Sequence, residues 1–263
     1  AARTEADEMG GPAVDGLGGE DTILGRQGND VLFGRGGADR ILGGDGADSL
    51  SGGTGSDTLA GGLGADTLSG DAGDDDILLG GGDSASGGSG DDVFALDPTD
   101  TSLDIAATVD GGLDGLSGAP EDASNGDGGD VLDLSGVTAP VTVVYGANPE
   151  GGSVNGLDGD AGTDLTFAEI ERVLTGSGAD TVNGGAATGP ISIDTGAGND
   201  SVTGGSGNDT IRGNGSVNIL TGGAGNDDVK LPRSATTYRY WPPNRCPASC
   251  TVPNMRCRSS RRK

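Results

Sequence analysis

Histidine is absent from the sequence, and lysine is confined to two positions. The absence of histidine excludes the commonest general base, the Ser-His-Asp and Cys-His nucleophile systems, and zinc sites of the HExxH type. Neither the nucleophile motif G-x-S-x-G nor the phosphate-binding motif G-x-x-x-x-G-K-[ST] occurs. The sequence therefore predicts a protein that is not an enzyme.

Large apolar side chains are also scarce, at 32% hydrophobic and 3% aromatic residues, while 41 acidic against 15 basic residues give a net charge of −26. A charge of that size with little core material predicts disorder unless something neutralises the acids. Nucleic acid and anionic membranes are poor partners for such a chain. No apolar run is long enough to cross a membrane, and the amino-terminal residues show no signal-peptide core. The expected partner is a cation.

Glycine and aspartate recur with a period of nine residues. Residues 16–78 divide into seven consecutive nonapeptides with Asp at position 6 and an aliphatic residue at position 8. An irregular stretch, residues 79–86, precedes an eighth copy. The aspartates of these eight copies are Asp21, Asp30, Asp39, Asp48, Asp57, Asp66, Asp75 and Asp92. Such strict phasing argues against the simplest alternative, a disordered Gly/Asp-rich linker.

The consensus G-G-x-G-x-D-x-U-x resembles the nonapeptide of RTX (repeats-in-toxin) hemolysin-type calcium-binding proteins. The resemblance covers residues 16–95 and 175–230. It implies an all-β fold, a parallel β-roll or β-helix solenoid, in which several Ca²⁺ ions are bound in the turns. It also implies secretion by a type I system.

The spacing of the aspartates agrees with that fold on physical grounds. Positions 1 to 6 have turn chemistry and positions 7 to 9 suit a short strand, so that two nonapeptides make one coil. Alternate aspartates then stack along one edge about 4.8 Å apart and repel unless a cation lies between them. The same-edge pairs of residue numbers are 21/39, 39/57, 57/75, 30/48 and 48/66.

The period is lost over residues 96–174, which we interpret as an irregular β-rich segment connecting two arrays. Residues 130–134 and 141–145 suggest strands, and residues 166–173 a helical turn leading into a strand. Residues 158–169 have acids at several positions of an EF-hand loop, but Gly162 stands at position 5 and Thr163 replaces the required glycine. An acidic loop is the better interpretation.

The period returns over residues 175–230, with Asp180, Asp200, Asp209 and Asp227 at position 6. Asn218 replaces one aspartate, so the site facing Asp200 is expected to be weaker. This second array is shorter and less regular than the first. We therefore expect it to be the less stable of the two.

The two ends of the chain differ from the arrays. Residues 1–15 form a polar segment, and residues 231–263 lack Gly, Asp and Glu but carry eight Lys or Arg and all three cysteines. Cys246, Cys250 and Cys257 leave a zinc site without a fourth ligand. We expect this basic tail to be disordered, with an aberrant or out-of-frame terminus as its simplest origin. Its end does not resemble an RTX secretion signal.

The sequence as a whole predicts a calcium-binding module that folds outside the cell and serves as a structural or secretion-associated scaffold. The main alternative is a non-catalytic piece of a larger secreted RTX enzyme or adhesin, with a passenger domain or cell-surface partner that the sequence does not identify. Ice binding requires a regular rank of threonine. Position 7 of the first array reads Thr, Val, Arg, Ser, Thr, Thr, Asp along the chain, which argues against it.

Overall fold

The structure is a computed structural model that describes residues 13–98, 107–112, 129–157, 162–215 and 217–230, together with the backbone of Arg3–Glu5 and Tyr238–Arg239. All regular secondary structure in this part of the chain is β-strand. No helix capable of spanning a membrane occurs in the same ranges.

The strands form two long sheets. The first sheet contains, in spatial order, β1 (Arg3–Glu5), β3 (Thr22–Gln27), β5 (Arg40–Asp45), β7 (Thr58–Leu63), β9 (Asp76–Leu79), β11 (Val93–Leu96), β13 (Val131–Asp133), β17 (Arg172–Leu174), β19 (Ser192–Asp194), β21 (Thr210–Arg212) and β23 (Asp228–Lys230). The second sheet contains β2 (Val14–Asp15), β4 (Val31–Gly36), β6 (Ser49–Thr54), β8 (Thr67–Ala72), β10 (Ser84–Ser89), β12 (Ala107–Gly112), β16 (Leu165–Ala168), β15 (Gly152–Asn155), β14 (Thr142–Tyr145), β18 (Thr181–Asn183), β20 (Ser201–Thr203), β22 (Ile219–Thr221) and β24 (Tyr238–Arg239).

Strands of successive coils pair in parallel, which confirms the predicted all-β solenoid. Ile23 lies opposite Ile41, and Leu59 lies opposite Ile77, so that position 8 of one coil stacks on position 8 of the next. Only β15 is antiparallel to its neighbours β14 and β16 among the described pairs. The chain thus climbs one narrow coil at a time with its two sheets face to face.

The core is a ladder of aliphatic side chains, one from each repeat. Strand alternation turns position 8 inward and positions 7 and 9 outward. Ile23, Leu32, Ile41 and Leu59 are each 0% exposed. The predicted inward direction of position 8 is therefore confirmed.

The strands of the first array are longer than the sequence predicted. Strands β3 to β8 contain six residues, positions 7 to 9 followed by positions 1 to 3 of the next repeat, instead of three, and β9 and β11 contain four. The residue at position 2 has a positive φ, 82° at Arg26 and 116° at Gly44, and the pairing continues past it. The prediction failed because Gly-rich positions have low strand propensity, and here the neighbouring coil supplies their hydrogen-bond partners.

The middle of the chain continues both sheets. β12 pairs with β10 in the second sheet and β13 pairs with β11 in the first, while β17 and β18 lead into the second array. The helical turn predicted within residues 166–173 is wrong, because β16, a bend and β17 occupy this segment. Leu165 and Phe167 alternate with exposed Thr166, a period of two that fits a strand. Phe167 packs edge-on against Tyr145, with 5.5 Å between ring centroids.

Pairing also extends beyond the two arrays. The backbone of β1 pairs with β3 and β2 pairs with β4, so residues before position 16 join the sheets. In the basic tail, the backbone of Tyr238–Arg239 pairs with β22. The other residues of the basic tail, including the three cysteines, lie outside the described part of the chain.

Candidate metal-binding turns

The aspartates at position 6 lie immediately before the strands, where each turn enters a sheet. With one exception their side chains are buried, between 0% and 6% exposed. The buried members are Asp21, Asp30, Asp39, Asp48, Asp57, Asp66, Asp75, Asp92, Asp180, Asp200 and Asp209. The exception is Asp227 in the last repeat, which is half-buried. Two columns of carboxyl groups therefore line the two edges of the solenoid.

Each column is built by one repeated hydrogen bond between coils. The backbone N–H of Asp21 donates to Oδ1 of Asp39 at 2.8 Å, and that of Asp39 donates to Oδ1 of Asp57 at 2.7 Å. The series continues from Asp57 to Asp75 at 2.7 Å.

On the opposite edge, Asp30 donates to Asp48 at 2.8 Å and Asp48 donates to Asp66 at 2.7 Å. All five predicted same-edge pairs are thus in contact. Whether the aspartates ligate a metal stays a prediction.

The second carboxylate oxygen, Oδ2, differs from Oδ1 in its hydrogen bonding. In Asp39, Asp48, Asp57, Asp75 and Asp180, Oδ2 is buried and has no hydrogen-bond partner. A buried carboxylate oxygen without a partner is energetically costly, and nearly all such atoms in folded proteins are satisfied. These Oδ2 atoms therefore have no partner within the polypeptide and are open to a ligand.

In the first array, a backbone carbonyl oxygen of the following coil lies close to the same space as Oδ2 of Asp39, Asp48, Asp57 and Asp75. A Cβ built on Gly34 would collide with Asp39 Oδ2 and would lie 2.5 Å from the carbonyl oxygen of Gly52. The same holds at Gly43, with Asp48 Oδ2 and the carbonyl oxygen of Gly61, again 2.5 Å away. Carboxylate and carbonyl oxygens are the ligands that Ca²⁺ prefers. Glycine at position 1 keeps this space free of side-chain atoms, so the residues present fit a calcium ion.

Burial disfavours the charged form of several position-6 carboxyl groups in the first array. Burial, with smaller contributions from the nearby carboxylates of Asp57, Asp71 and Asp74, raises the pKa of the Asp75 carboxyl to about 7. Burial, followed by the charge of Asp39, raises the pKa of Asp57 to about 6. The pKa of Asp48 is raised for the same reasons. A cation between the coils would favour the charged forms and remove this conflict.

The site differs from a compact carboxylate cluster. In the described ranges, no three acidic, cysteine or histidine side chains come together in a group that could hold a metal ion. Calcium takes six to eight oxygen ligands. Most ligands in these turns would therefore be backbone carbonyl oxygens, with the aspartates supplying the charge.

Three acidic residues that the sequence analysis missed extend the columns. Asp66 donates its N–H to Oδ1 of Asp83 at 2.9 Å, and Asp92 donates to Oδ1 of Asp130 at 2.7 Å. Asp130 in turn donates to Oε2 of Glu171 at 2.5 Å.

The sequence signal for these residues was weak but present. The stretch 79–86 is a repeat shortened by one residue, and Asp83 stands directly before β10. Asp130 and Glu171 likewise stand directly before β13 and β17. Position relative to a short apolar strand would have identified all three, whereas the nine-residue period could not.

The second array holds its carboxyl groups differently. Asp180 donates its N–H to Oδ1 of Asp200 at 3.0 Å, Asp200 donates to Oδ1 of Asn218 at 2.9 Å, and Asp209 donates to Oδ1 of Asp227 at 3.1 Å. Oδ2 of Asp200 accepts a hydrogen bond from Thr195 Oγ1 at 2.7 Å, and Oδ2 of Asp209 accepts one from the N–H of Gly205 at 2.9 Å. Burial raises the pKa of both carboxyl groups.

The EF-hand-like loop falls partly outside the described residues, which exclude positions 158–161. The described part shows Asp164 buried, with Oδ2 accepting the N–H of Leu157 at 2.6 Å. This bond closes a turn between β15 and β16.

Comparison with known protein families agrees with this geometry. The family model of the RTX calcium-binding nonapeptide repeat matches four times, at residues 15–50, 51–85, 165–188 and 194–229. No curated protein matches the chain. The matched segments contain eleven of the twelve aspartates predicted at position 6, all except Asp92. The chain belongs to the RTX hemolysin-type calcium-binding repeat proteins, and its structure is their calcium-binding β-roll.

Proposed function

We propose that this β-roll is a scaffold that folds when it binds several Ca²⁺ ions outside the cell, and that it has no catalytic activity of its own. The observation that carries the proposal is the row of buried Oδ2 atoms without partners in Asp39, Asp48, Asp57 and Asp75. These atoms make the folded state costly in the absence of a cation. Calcium would supply the missing charge and ligand.

The thin core supports a folding role for the metal. Each repeat buries about one aliphatic side chain, which contributes about 1.5–3 kcal/mol. Ordering nine residues costs about 1–2 kcal/mol per residue. Hydrogen bonds return about 1 kcal/mol each, so a repeat without metal is near or below break-even, and a ligand that binds only the folded state shifts the balance.

The proposed location outside the cell is supported by the calcium affinity expected of such sites. Extracellular calcium modules have Kd values of about 10⁻⁴–10⁻³ M. At about 1 mM calcium and a Kd of about 10⁻⁴ M, each site adds about 1.4 kcal/mol, and five sites add about 7 kcal/mol. The same chain at low intracellular calcium would lack this contribution. These magnitudes support export as an unfolded chain, of the type I kind, followed by folding outside.

A calcium titration of the whole chain tests the proposal. Circular dichroism and hydrodynamic radius should show an expanded chain in chelator and a compact β-rich chain at about 1–10 mM calcium. Magnesium at equal concentration is the control and should fail, because it requires a small octahedral site. A chain that is compact in chelator, or that magnesium folds equally well, would contradict a calcium-dependent scaffold.

A second candidate is a non-catalytic part of a larger RTX enzyme or adhesin, whose functional domain packs on the roll. The observation that favours it is an outward column at position 9 of the first sheet, where Leu24, Leu42, Ala60 and Leu78 stack in register. The three leucines are half-buried. Replacing Leu24 and Leu42 with threonine should leave calcium-induced folding intact if the column serves a neighbouring domain. Loss of folding would assign these side chains to the roll itself.

A further inference from the structure

Position 1 of the repeat separates two kinds of turn. In the first array it is glycine throughout, and a Cβ on Gly34, Gly43 or Gly52 would collide with Oδ2 of the aspartate five residues later. In the second array, Thr175 and Thr195 occupy position 1 of two repeats. A side chain therefore stands at these two places in the space that glycine keeps open elsewhere.

Thr195 fills that space and satisfies the carboxylate. Its side chain is buried, at 0% exposed, and Oγ1 donates to Asp200 Oδ2 at 2.7 Å. Oδ1 of the same carboxylate accepts the N–H of Asp180. Both oxygens of Asp200 thus have partners within the chain, whereas Oδ2 of Asp39 and Asp57 has none.

The next coil on this edge contributes no charge. Asn218 stands where an aspartate is expected, and its Oδ1 accepts the N–H of Asp200 at 2.9 Å. Its Nδ2 donates to the carbonyl oxygen of Asn214 at 2.9 Å, so both ends of the amide are used. The carboxylate of Asp200 therefore faces a neutral, fully hydrogen-bonded neighbour on its carboxyl-terminal side.

We propose that Thr195, Asp200 and Asn218 form a metal-free turn, in which a hydroxyl and an amide replace the calcium that the glycine turns require. The proposal rests on the function proposed above, because it contrasts this turn with calcium-dependent ones. It removes Asp200 from the predicted calcium ligands. It also predicts that the hydrogen bonds from Asp180 to Asp200 and from Asp200 to Asn218 persist when calcium is withdrawn.

Hydrogen exchange on the full chain tests the proposal at single turns. The N–H groups of Asp180 and Asp200 report on the metal-free turn, and those of Asp39 and Asp57 report on glycine turns. In chelator we expect the first pair to exchange at least about tenfold more slowly than the second, because the Asp200 carboxylate accepts an additional hydrogen bond from the Thr195 hydroxyl, whereas Oδ2 of Asp57 and Asp75 has no partner. Calcium should slow exchange of the second pair and leave the first pair unchanged.

Variants of Thr195 identify the responsible atom. Thr195→Val keeps the volume and removes the hydroxyl, so exchange at Asp180 and Asp200 should rise about tenfold and calcium should not reverse it. Thr195→Ser should behave as the native chain. Thr195→Gly reopens the space, and calcium should restore its protection. Thr175→Val is the matched control, because the Thr175 hydroxyl has no partner and its loss should change little.

Two results would overturn the metal-free turn. One is equal exchange at Asp180, Asp200, Asp39 and Asp57 in chelator, with protection of all four appearing at the same calcium concentration. The other is native-like exchange in Thr195→Val. The function proposed for the whole roll fails on a different result, a first array whose Asp39 and Asp57 amides do not respond to calcium.

Discussion

The first and second arrays share one coil geometry but treat their buried carboxylates differently. The first has strands of four to six residues, glycine at position 1 and unpartnered Oδ2 atoms. The second has three-residue strands, and Oδ2 of Asp200 and Asp209 is hydrogen-bonded within the chain, whereas that of Asp180 has no partner. The array with the more regular repeat is therefore the one with more buried carboxylate oxygens that lack a partner within the chain. If the proposed calcium sites are correct, the more regular array is the one whose folded state should depend more on calcium.

This comparison changes the expectation that the second array is the less stable one. Fewer backbone pairs per strand weaken it, but fewer unsatisfied buried charges strengthen it when calcium is low. Which effect prevails depends on the calcium concentration. The following predictions test the comparison in order of decreasing expected effect.

The largest effect is expected from pH on the calcium-free chain. Burial raises the pKa of Asp57 to about 6 and that of Asp75 to about 7, so the folded state binds protons more tightly than the unfolded chain does. This contribution is present in full below the ordinary pKa near 4 and is lost as the pH rises to about 7. Calcium-free protein should therefore hold more β-structure at pH 5 than at pH 8, as measured by circular dichroism.

Calcium should reverse the pH dependence, because it competes with the protons for the same oxygens. The calcium concentration at the folding midpoint should fall as the pH rises from 5 to 8. A midpoint that does not change over this range would contradict ionised first-array carboxylates as ligands.

The next effect is positional. Asp48→Ala removes a carboxylate that accepts the N–H of Asp30 and lies between two coil interfaces, whereas Asp227→Ala changes the half-buried last member of a column. Losing two sites of about 1.4 kcal/mol each should destabilise the calcium-bound first array by about 3 kcal/mol. A calcium titration followed by hydrogen exchange should show a higher midpoint for Asp48→Ala. Equal midpoints would contradict coordination shared between coils.

A smaller effect is expected from backbone strain at position 2. Gly44 has φ +116°, and its Cβ would collide with the carbonyl oxygen of Arg26. Gly44→Ala should cost about 1–3 kcal/mol and raise the calcium midpoint. Gly18→Ala is the matched control, because the nearest atom to its Cβ is 3.7 Å away, and it should be neutral. If both variants behave alike, position 2 does not constrain the coil.

The smallest effect is expected from the tail. Truncation after Lys230 removes no predicted ligand, and among the described residues it eliminates the pairing of Tyr238–Arg239 with β22. Calcium-induced folding of the first array should be unchanged, and exchange at Ile219 and Leu220 should rise slightly. Loss of folding on truncation would show that the tail caps the roll.

The sequence predicted those parts of the structure that depend on the period. Ile23 and Ile41 had to face inward because their spacing repeats every coil, and Asp39 and Asp57 had to stack for the same reason. Asp83, Asp130 and Glu171 were missed because a deletion and two insertions shift them out of phase, although the coil absorbs the change. The proposed role of Thr195 could not be predicted from the sequence either, because it depends on the contact between its hydroxyl and the Asp200 carboxylate, which only the structure shows.

The hydrogen bonds from the position-6 N–H groups to the position-6 side chains of the next coil all run in one direction. Each aspartate offers its N–H toward the carboxyl end of the solenoid and receives, on Oδ1, the N–H of the preceding coil. Each column of aspartates consequently has two chemically different ends. To complete such a column, a cap at the amino end must donate a hydrogen bond to Oδ1 of the first aspartate, and a cap at the carboxyl end must accept one from the N–H of the last.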